Sequence, residues 1–147
     1  MIIEIKERND DIKSELVRVW EGSVRATHHF LTEDEIMRIK EYVPMAIDGT
    51  EHLLAAEQDG RICAFMGISG DELEMLFVSP DERGKGLGKA LLQKGIDEYG
   101  VRTLTVNEQN PQATGFYEHM GFETVRRSDT DGQGGPYPIL YMELRHK

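Results

Sequence analysis

The sequence predicts an α+β fold in which a mixed, mostly antiparallel central sheet carries helices on both faces. Three observations point there. The chain has 147 residues, the size of one compact domain. Segments with helical spacing of apolar residues alternate with short strand-like runs. In the middle, "EHLLAAE", "RICAFMGIS" and "LEMLFVSP" are separated only by the turn signals "QDG" and "GDE", the pattern of a three-stranded meander.

Taken in order, "MIIEIKE" has the β-branched content of a first strand, and Ile12, Leu16, Val19 and Trp20 then recur at helical spacing. In "LTEDEIMRIKEYV", Thr32 stands three residues ahead of Glu35, a capping-box pattern, with Ile36, Ile39 and Val43 on one helical face. Pro44 and the "DGT" beyond it are expected to end that helix. After the meander, Leu87, Leu91, Leu92 and Ile96 share a face in "GLGKALLQKGIDEYG", and Gly100 has the place of a C-cap. "VRTLTVN" is the next strand, and Asn110 caps a short helix that Pro111 opens. "FETVRR" and "ILYMELR" are the last strands, joined by the loop "SDTDGQGGPYP". The expected order is thus a strand, two helices, three strands, a helix, a strand, a helix and two strands, with a βαβ unit in the middle. No repeat or linker divides the chain, so residues 1–147 are expected to form a single domain.

Composition excludes several classes. With 39% hydrophobic and 30% charged residues the chain is an ordinary globular one. No apolar run approaches the length of a membrane span, and the N-terminal residues lack the layout of a signal peptide, so a cytoplasmic location is the expectation. The 27 acidic residues outnumber 17 basic ones, and the net charge of −10 disfavours nucleic acid and anionic membrane as partners while suiting a cationic acceptor. The single cysteine, Cys63, lies in an apolar run and is expected to pack there, as is Trp20 on its helical face. His52, His119 and His146 have the surroundings of structural or solvated residues.

The stretch "RGKGLGK" places Gly84, Gly86 and Gly88 at every second position and runs straight into a helix. The free amides of a helix's first turn form an anion seat, and glycines let a phosphate approach the backbone. Arg83, Lys85 and Lys89 add counter-charge, so a pyrophosphate fits. A Walker loop needs wider spacing and a hydroxyl where Ala90 stands; a dinucleotide fingerprint needs its third glycine elsewhere. ATP and dinucleotides are therefore disfavoured. Downstream, in "NPQATGFYEHMGF", Ala113, Phe116 and Tyr117 lie along one helical face, and the Tyr117 phenol is a candidate proton donor to a leaving group.

Together, "LFVSPDERGKGLGKALL" and "NPQATGFYEHMGF" resemble the two signature elements of the GNAT acyltransferases, which use acetyl-coenzyme A. The first is similar to the family's Arg/Gln-x-x-Gly-x-Gly/Ala loop and the second to its Asn-x-x-Ala-x-x-Phe-Tyr-x-x-x-Gly-Phe element. The resemblance implies that amides of Arg83, Gly84, Lys85, Gly86, Leu87, Gly88 and Lys89 hold the coenzyme A pyrophosphate. It implies that Leu76, Phe77 and Val78 meet the pantetheine, Leu76 and Val78 through backbone hydrogen bonds, where the family's sheet splays after a bulge. Asn110, Ala113, Phe116 and Tyr117 would line the coenzyme, and Tyr117 would also protonate the departing thiolate.

An acceptor amine must lose a proton before it attacks the thioester. Glu72 matches the strand position of the general base in some family members, and Glu74 shares its face if pairing is regular. Both also fit as solvated strand carboxylates, and a water chain often replaces a dedicated base in this family. "WEGSVRATHHFL" resembles the family's acceptor-side segment, which puts His28 and His29 near the acceptor, one of them, His29 in particular, able to orient or deprotonate an amine. Tyr137 would border the same site. No third ligand accompanies the histidines, so no metal is expected. The expected activity is direct acetyl transfer from acetyl-coenzyme A to a small amine or peptide amine, by a monomer or homodimer. A protein lysine or N-terminal acetyltransferase, and a coenzyme A sensor without turnover, are the alternatives.

Overall fold

Helices and strands follow one another in the order that the apolar spacing predicts, with one helix more. The computed structural model describes residues 1–131 and 134–145, so His146 lies outside the described residues. Its contacts divide into two units, Met1–Val101 and Arg102–Lys147.

In the first unit, β1 (Ile2–Glu4) is followed by α1 (Asp10–Thr27), α2 (Glu33–Lys40) and α3 (Val43–Asp48). Then come β2 (His52–Gln58), β3 (Arg61–Ser69), β4 (Glu72–Val78), a 3-10 turn (Pro80–Glu82) and α4 (Leu87–Tyr99). The expected capping box is present: Thr32 Oγ1 accepts from the Glu35 amide at 3.2 Å, and Glu35 Oε1 accepts from the Thr32 amide at 2.9 Å. The expectation for Pro44 needs correction. Rather than ending one long helix, it stands in the first turn of α3, where a missing N–H costs no hydrogen bond. Val43 accordingly starts a new helix, though it is buried as expected.

The four strands of this unit pair antiparallel in sequence order. Leu16, Val19, Trp20 and Val24 of α1 share a core cluster with Leu53, Ala55 and Phe65. Side chains alternate along a strand, so Met66 points to the face opposite Phe65. There it meets α4: a Cβ added at Gly95 would lie 3.3 Å from the Met66 Cε. Helices therefore cover both faces, and β3 reads as a continuous apolar run because it is buried on both sides. Cys63 is buried within it, as expected.

The second unit holds β5 (Thr103–Asn107), α5 (Pro111–His119), β6 (Phe122–Ser128) and β7 (Ile139–Leu144). Strand β7 inserts between the other two and pairs antiparallel with each. The helix α5 rests on β6 through Tyr117, edge-on to Phe122 at 6.2 Å between ring centroids.

One ion-dipole contact ties the N-terminal strand to the end of α4. The Tyr99 hydroxyl donates to Glu4 Oε1 at 2.8 Å, with Lys6 and His52 also bonded to that carboxylate. These hydrogen bonds, Tyr99's foremost, pull the Glu4 carboxyl down to about 2. A depressed carboxylate contributes stability above its unfolded value of 4.5 and loses it as pH falls toward 2. The urea midpoint should therefore fall over that range, and Tyr99→Phe should flatten the fall; an unchanged pH profile in the variant would contradict the assignment.

Candidate active site

Besides α4, three of the described helices have at least eight residues, and each meets the problem of its first-turn amides with a side-chain cap. In α1, Asn9 Oδ1 accepts from the Ile12 amide at 2.9 Å; in α2, Thr32 caps; in α5, Asn110 Oδ1 accepts from the Ala113 amide at 3.3 Å. At the start of α4 the N-cap is Gly86, which has no side chain to offer. The Ala90 amide, donating to the Gly86 carbonyl at 2.9 Å, makes the opening bond of the helical ladder. The amides of Leu87, Gly88 and Lys89 precede it and face out of the helix, at the positive end of its dipole.

The approach to that helix keeps its backbone bare. Strand β4 ends at Val78, the Ser79 amide donates to the Cys63 carbonyl at 2.8 Å, and the 3-10 turn delivers Arg83 in an extended conformation. Gly84 and Gly86 then take φ of 79° and 81°, the left-handed region, with open space where a Cβ would stand. Of the three cations expected to supply counter-charge, Lys85 is bound to Glu82 at 2.8 Å, whose carboxylate raises the ammonium's pKa. Arg83 and Lys89 have no ion pair among the described residues.

Upstream, β4 contains the bulge that the family pattern implies. Gly67 pairs with Met75 and Ile68 with Leu73, which leaves Glu74 as the extra residue, two positions before Leu76. Pairing is thus not regular at Glu74, which removes the condition on which it was placed with Glu72. Both carboxylates are exposed. Burial, then the charges of Glu74 and Asp71, push the Glu72 carboxyl above its ordinary value. Leu76, Phe77 and Val78 are half-buried, with Phe77 tilted on Phe65 at 5.6 Å.

In the second unit, Asn110 is buried and Phe116 lies edge-on to Tyr117 at 5.3 Å. Tyr117 is only 9% exposed, and its hydroxyl has no hydrogen bond among the described residues. Burial alone pushes the phenol well above its usual pKa, because a phenolate there would lose its hydration. The phenol, protonated at neutral pH like any tyrosine, is thus a weaker acid than an exposed one. Asn107, which the sequence motifs did not single out, ends β5 with Oδ1 buried and without a hydrogen-bond partner among the described residues. A buried acceptor left open costs about 1–3 kcal/mol and so invites a donor from outside the chain.

On the acceptor side, His28 is half-buried directly after α1, His29 beside it is exposed, and Tyr137 is half-buried in the loop before β7. Burial, then the charges of Arg83 and His29, lower the His28 pKa. His52 bonds Glu4 and His119 is exposed, matching their structural or solvated readings. An open groove of about 800 Å³ runs along α1 past Arg18, Arg25 and Lys40, and none of the motif residues lines it. Among the described residues no cluster of three His, Cys, Asp or Glu side chains could hold a metal, and no helix is long and apolar enough to cross a membrane.

A loop that presents first-turn amides and a bulged strand before it, both in the first unit, are the features that the resemblance to coenzyme A acyltransferases implies. The chain belongs to the GNAT family: the family's acetyltransferase (GNAT) domain matches residues 11–143. It is an N-acetyltransferase, moving an acetyl group from acetyl-coenzyme A to an amine. Peptidyl-lysine N-acetyltransferase YjaB of Escherichia coli strain K12 is 36% identical over 142 residues, 97% of each chain. The solution structure of apo-form YjaB from Escherichia coli superposes with a TM-score of 0.88 at 33% identity, covering 100% of this chain and 98% of that one. The PaiA N-acetyltransferase from Thermoplasma acidophilum, solved in complex with coenzyme A, shares the fold with a TM-score of 0.71 at 23% identity over 99% of both chains.

The glycine loop yields a direct test. Gly86→Val adds a Cβ at a left-handed φ and screens the first-turn amides, so coenzyme A binding measured by calorimetry should weaken at least ~10-fold, about 1.4 kcal/mol. An unchanged Kd in the folded variant would contradict the loop's role.

Proposed function

We propose that this chain acetylates lysine side chains of proteins, with the coenzyme's pyrophosphate on the first-turn amides of α4 and Tyr117 as proton donor to the thiolate. The single observation that carries the donor half is the uncapped start of α4, reached through two left-handed glycines. For the acceptor half, the support is similarity over nearly the whole chain to proteins named peptidyl-lysine N-acetyltransferase. The excess of acidic residues favours approach of a cationic lysine.

The chemistry follows from these groups. The free amine attacks the thioester carbonyl, and the resulting oxyanion needs a donor, for which the Val78 backbone amide is proposed. Leu76 and Val78 extend β4's edge to the pantetheine, while Asn110, Ala113 and Phe116 pack on the coenzyme. Collapse of the adduct breaks the C–S bond, and the sulfur takes the Tyr117 proton. Glu72, with its raised carboxyl, Glu74 and His29 are proposed to relay the amine's proton onward to solvent, and His28 and Tyr137 are assigned to the acceptor site. A module that merely binds coenzyme A has no use for a proton donor such as Tyr117. The family match spans both units, which supports residues 1–147 acting as one domain; a cytoplasmic setting is part of the same proposal.

Thiol release from acetyl-coenzyme A with lysine peptides tests this function. Tyr117→Phe should lower kcat about 100-fold, within the range for one general acid, while coenzyme A affinity stays within twofold. A blocked-lysine peptide with a free N-terminus outpacing the lysine peptide tenfold would overturn the lysine assignment.

A further inference from the structure

The residue after α1 carries an imidazole that shares the Thr27 hydroxyl with a helix carbonyl. Thr27 Oγ1 donates to the Ser23 carbonyl at 2.8 Å, a bond in which the carbonyl can only accept. The same oxygen lies 2.8 Å from His28 Nδ1. A hydroxyl has one hydrogen; given to the Ser23 carbonyl, it leaves Thr27 to accept from His28 Nδ1, and the role proposed for His28 takes that tautomer. In it the proton sits on Nδ1. Nε2 is left with its lone pair, and among the described residues it has no hydrogen-bond partner. The ring is steadied by Phe30, tilted at 51° with centroids 5.4 Å apart.

We propose that His28, through this bare Nε2, is the base that takes the proton from the acceptor's ammonium, a role that rests on the acetyl-transfer function above. Three features suit it. Burial, then the charges of Arg83 and His29, hold its pKa below the ordinary imidazole value, so the ring is neutral and able to accept at neutral pH. Its position at the C-terminal end of the 18-residue α1 places the transient imidazolium at the negative end of the helix dipole. Arg83, whose charge acts on His28, belongs to the loop assigned to the coenzyme. His29, by contrast, is exposed and has no comparable orienting bond.

The proton account balances. An ammonium proton passes to Nε2, and the freed nitrogen lone pair forms the C–N bond to the thioester carbon. When the C–S bond breaks, sulfur receives the Tyr117 proton, and the second proton leaving the adduct's nitrogen restores the phenol by way of water. The imidazolium, disfavoured by burial and by the Arg83 charge, returns its proton to solvent. One proton is released per acetyl group transferred, as the overall reaction requires.

Nitrogen-15 NMR of the free enzyme should show a protonated Nδ1 and a pyridine-like Nε2 at His28; a protonated Nε2 there would overturn the proposal. His28→Asn keeps a donor near the Nδ1 position while removing Nε2. With acetyl-coenzyme A and a lysine peptide, its kcat/KM should fall about 100-fold at pH 7. The deficit should shrink as pH approaches the lysine's own pKa, where free amine needs no base, and coenzyme A affinity should stay within twofold. Wild-type rates across the pH range would overturn the base assignment and leave acetyl transfer standing. An equal deficit at every pH would also overturn it, as the mark of a packing role. If the wild type released no thiol with any amine, the transfer function would fall and the role of His28 with it.

Discussion

The start of α4 is the constraint on which the remaining arrangement depends. First-turn amides must find an acceptor, and in three neighbouring helices a side chain of Asn9, Thr32 or Asn110 supplies one. At α4 the glycine N-cap supplies none, which leaves the amides to water or to an anion. The helix itself is held firmly: Gly95 packs on Met66 and Val101, and Gly100 closes its C-terminus in a left-handed cap donating to the Gly95 carbonyl. A fixed helix with open amides is a preorganised anion site, because little rearrangement is needed when the ligand arrives.

Two proposed proton carriers are tuned by one physical cause acting on opposite starting states. Burial disfavours the charged form of any group. For Tyr117 the charged form is the phenolate, so burial keeps the proton on. For His28 the charged form is the imidazolium, so burial, reinforced by Arg83, keeps the proton off. The acid and the base thus rest in the states in which each can act.

The sequence made visible what is encoded locally. The Thr32 capping box, the Asn110 cap, the Gly100 terminus and the meander turns depend on residues a few positions apart, and all are present. Pro44 misled because proline ends one helix and opens another with the same ring, and spacing alone does not tell which. Glu74 misled because a bulge depends on the partner strand, here between Gly67 and Ile68. The open Asn107 oxygen and the His28 tautomer were hidden for the same reason. Each depends on which neighbours are absent or already bonded in three dimensions.

The account's central claim is that the first-turn amides of α4 receive the coenzyme's pyrophosphate. Amide NMR during titration with coenzyme A, and separately with pantetheine, which lacks the pyrophosphate, tests it most directly. The account predicts that the Gly84–Lys89 amide protons move downfield with coenzyme A and stay in place with pantetheine. Equal shifts with both ligands, or no shift at these amides with saturating coenzyme A, would contradict it.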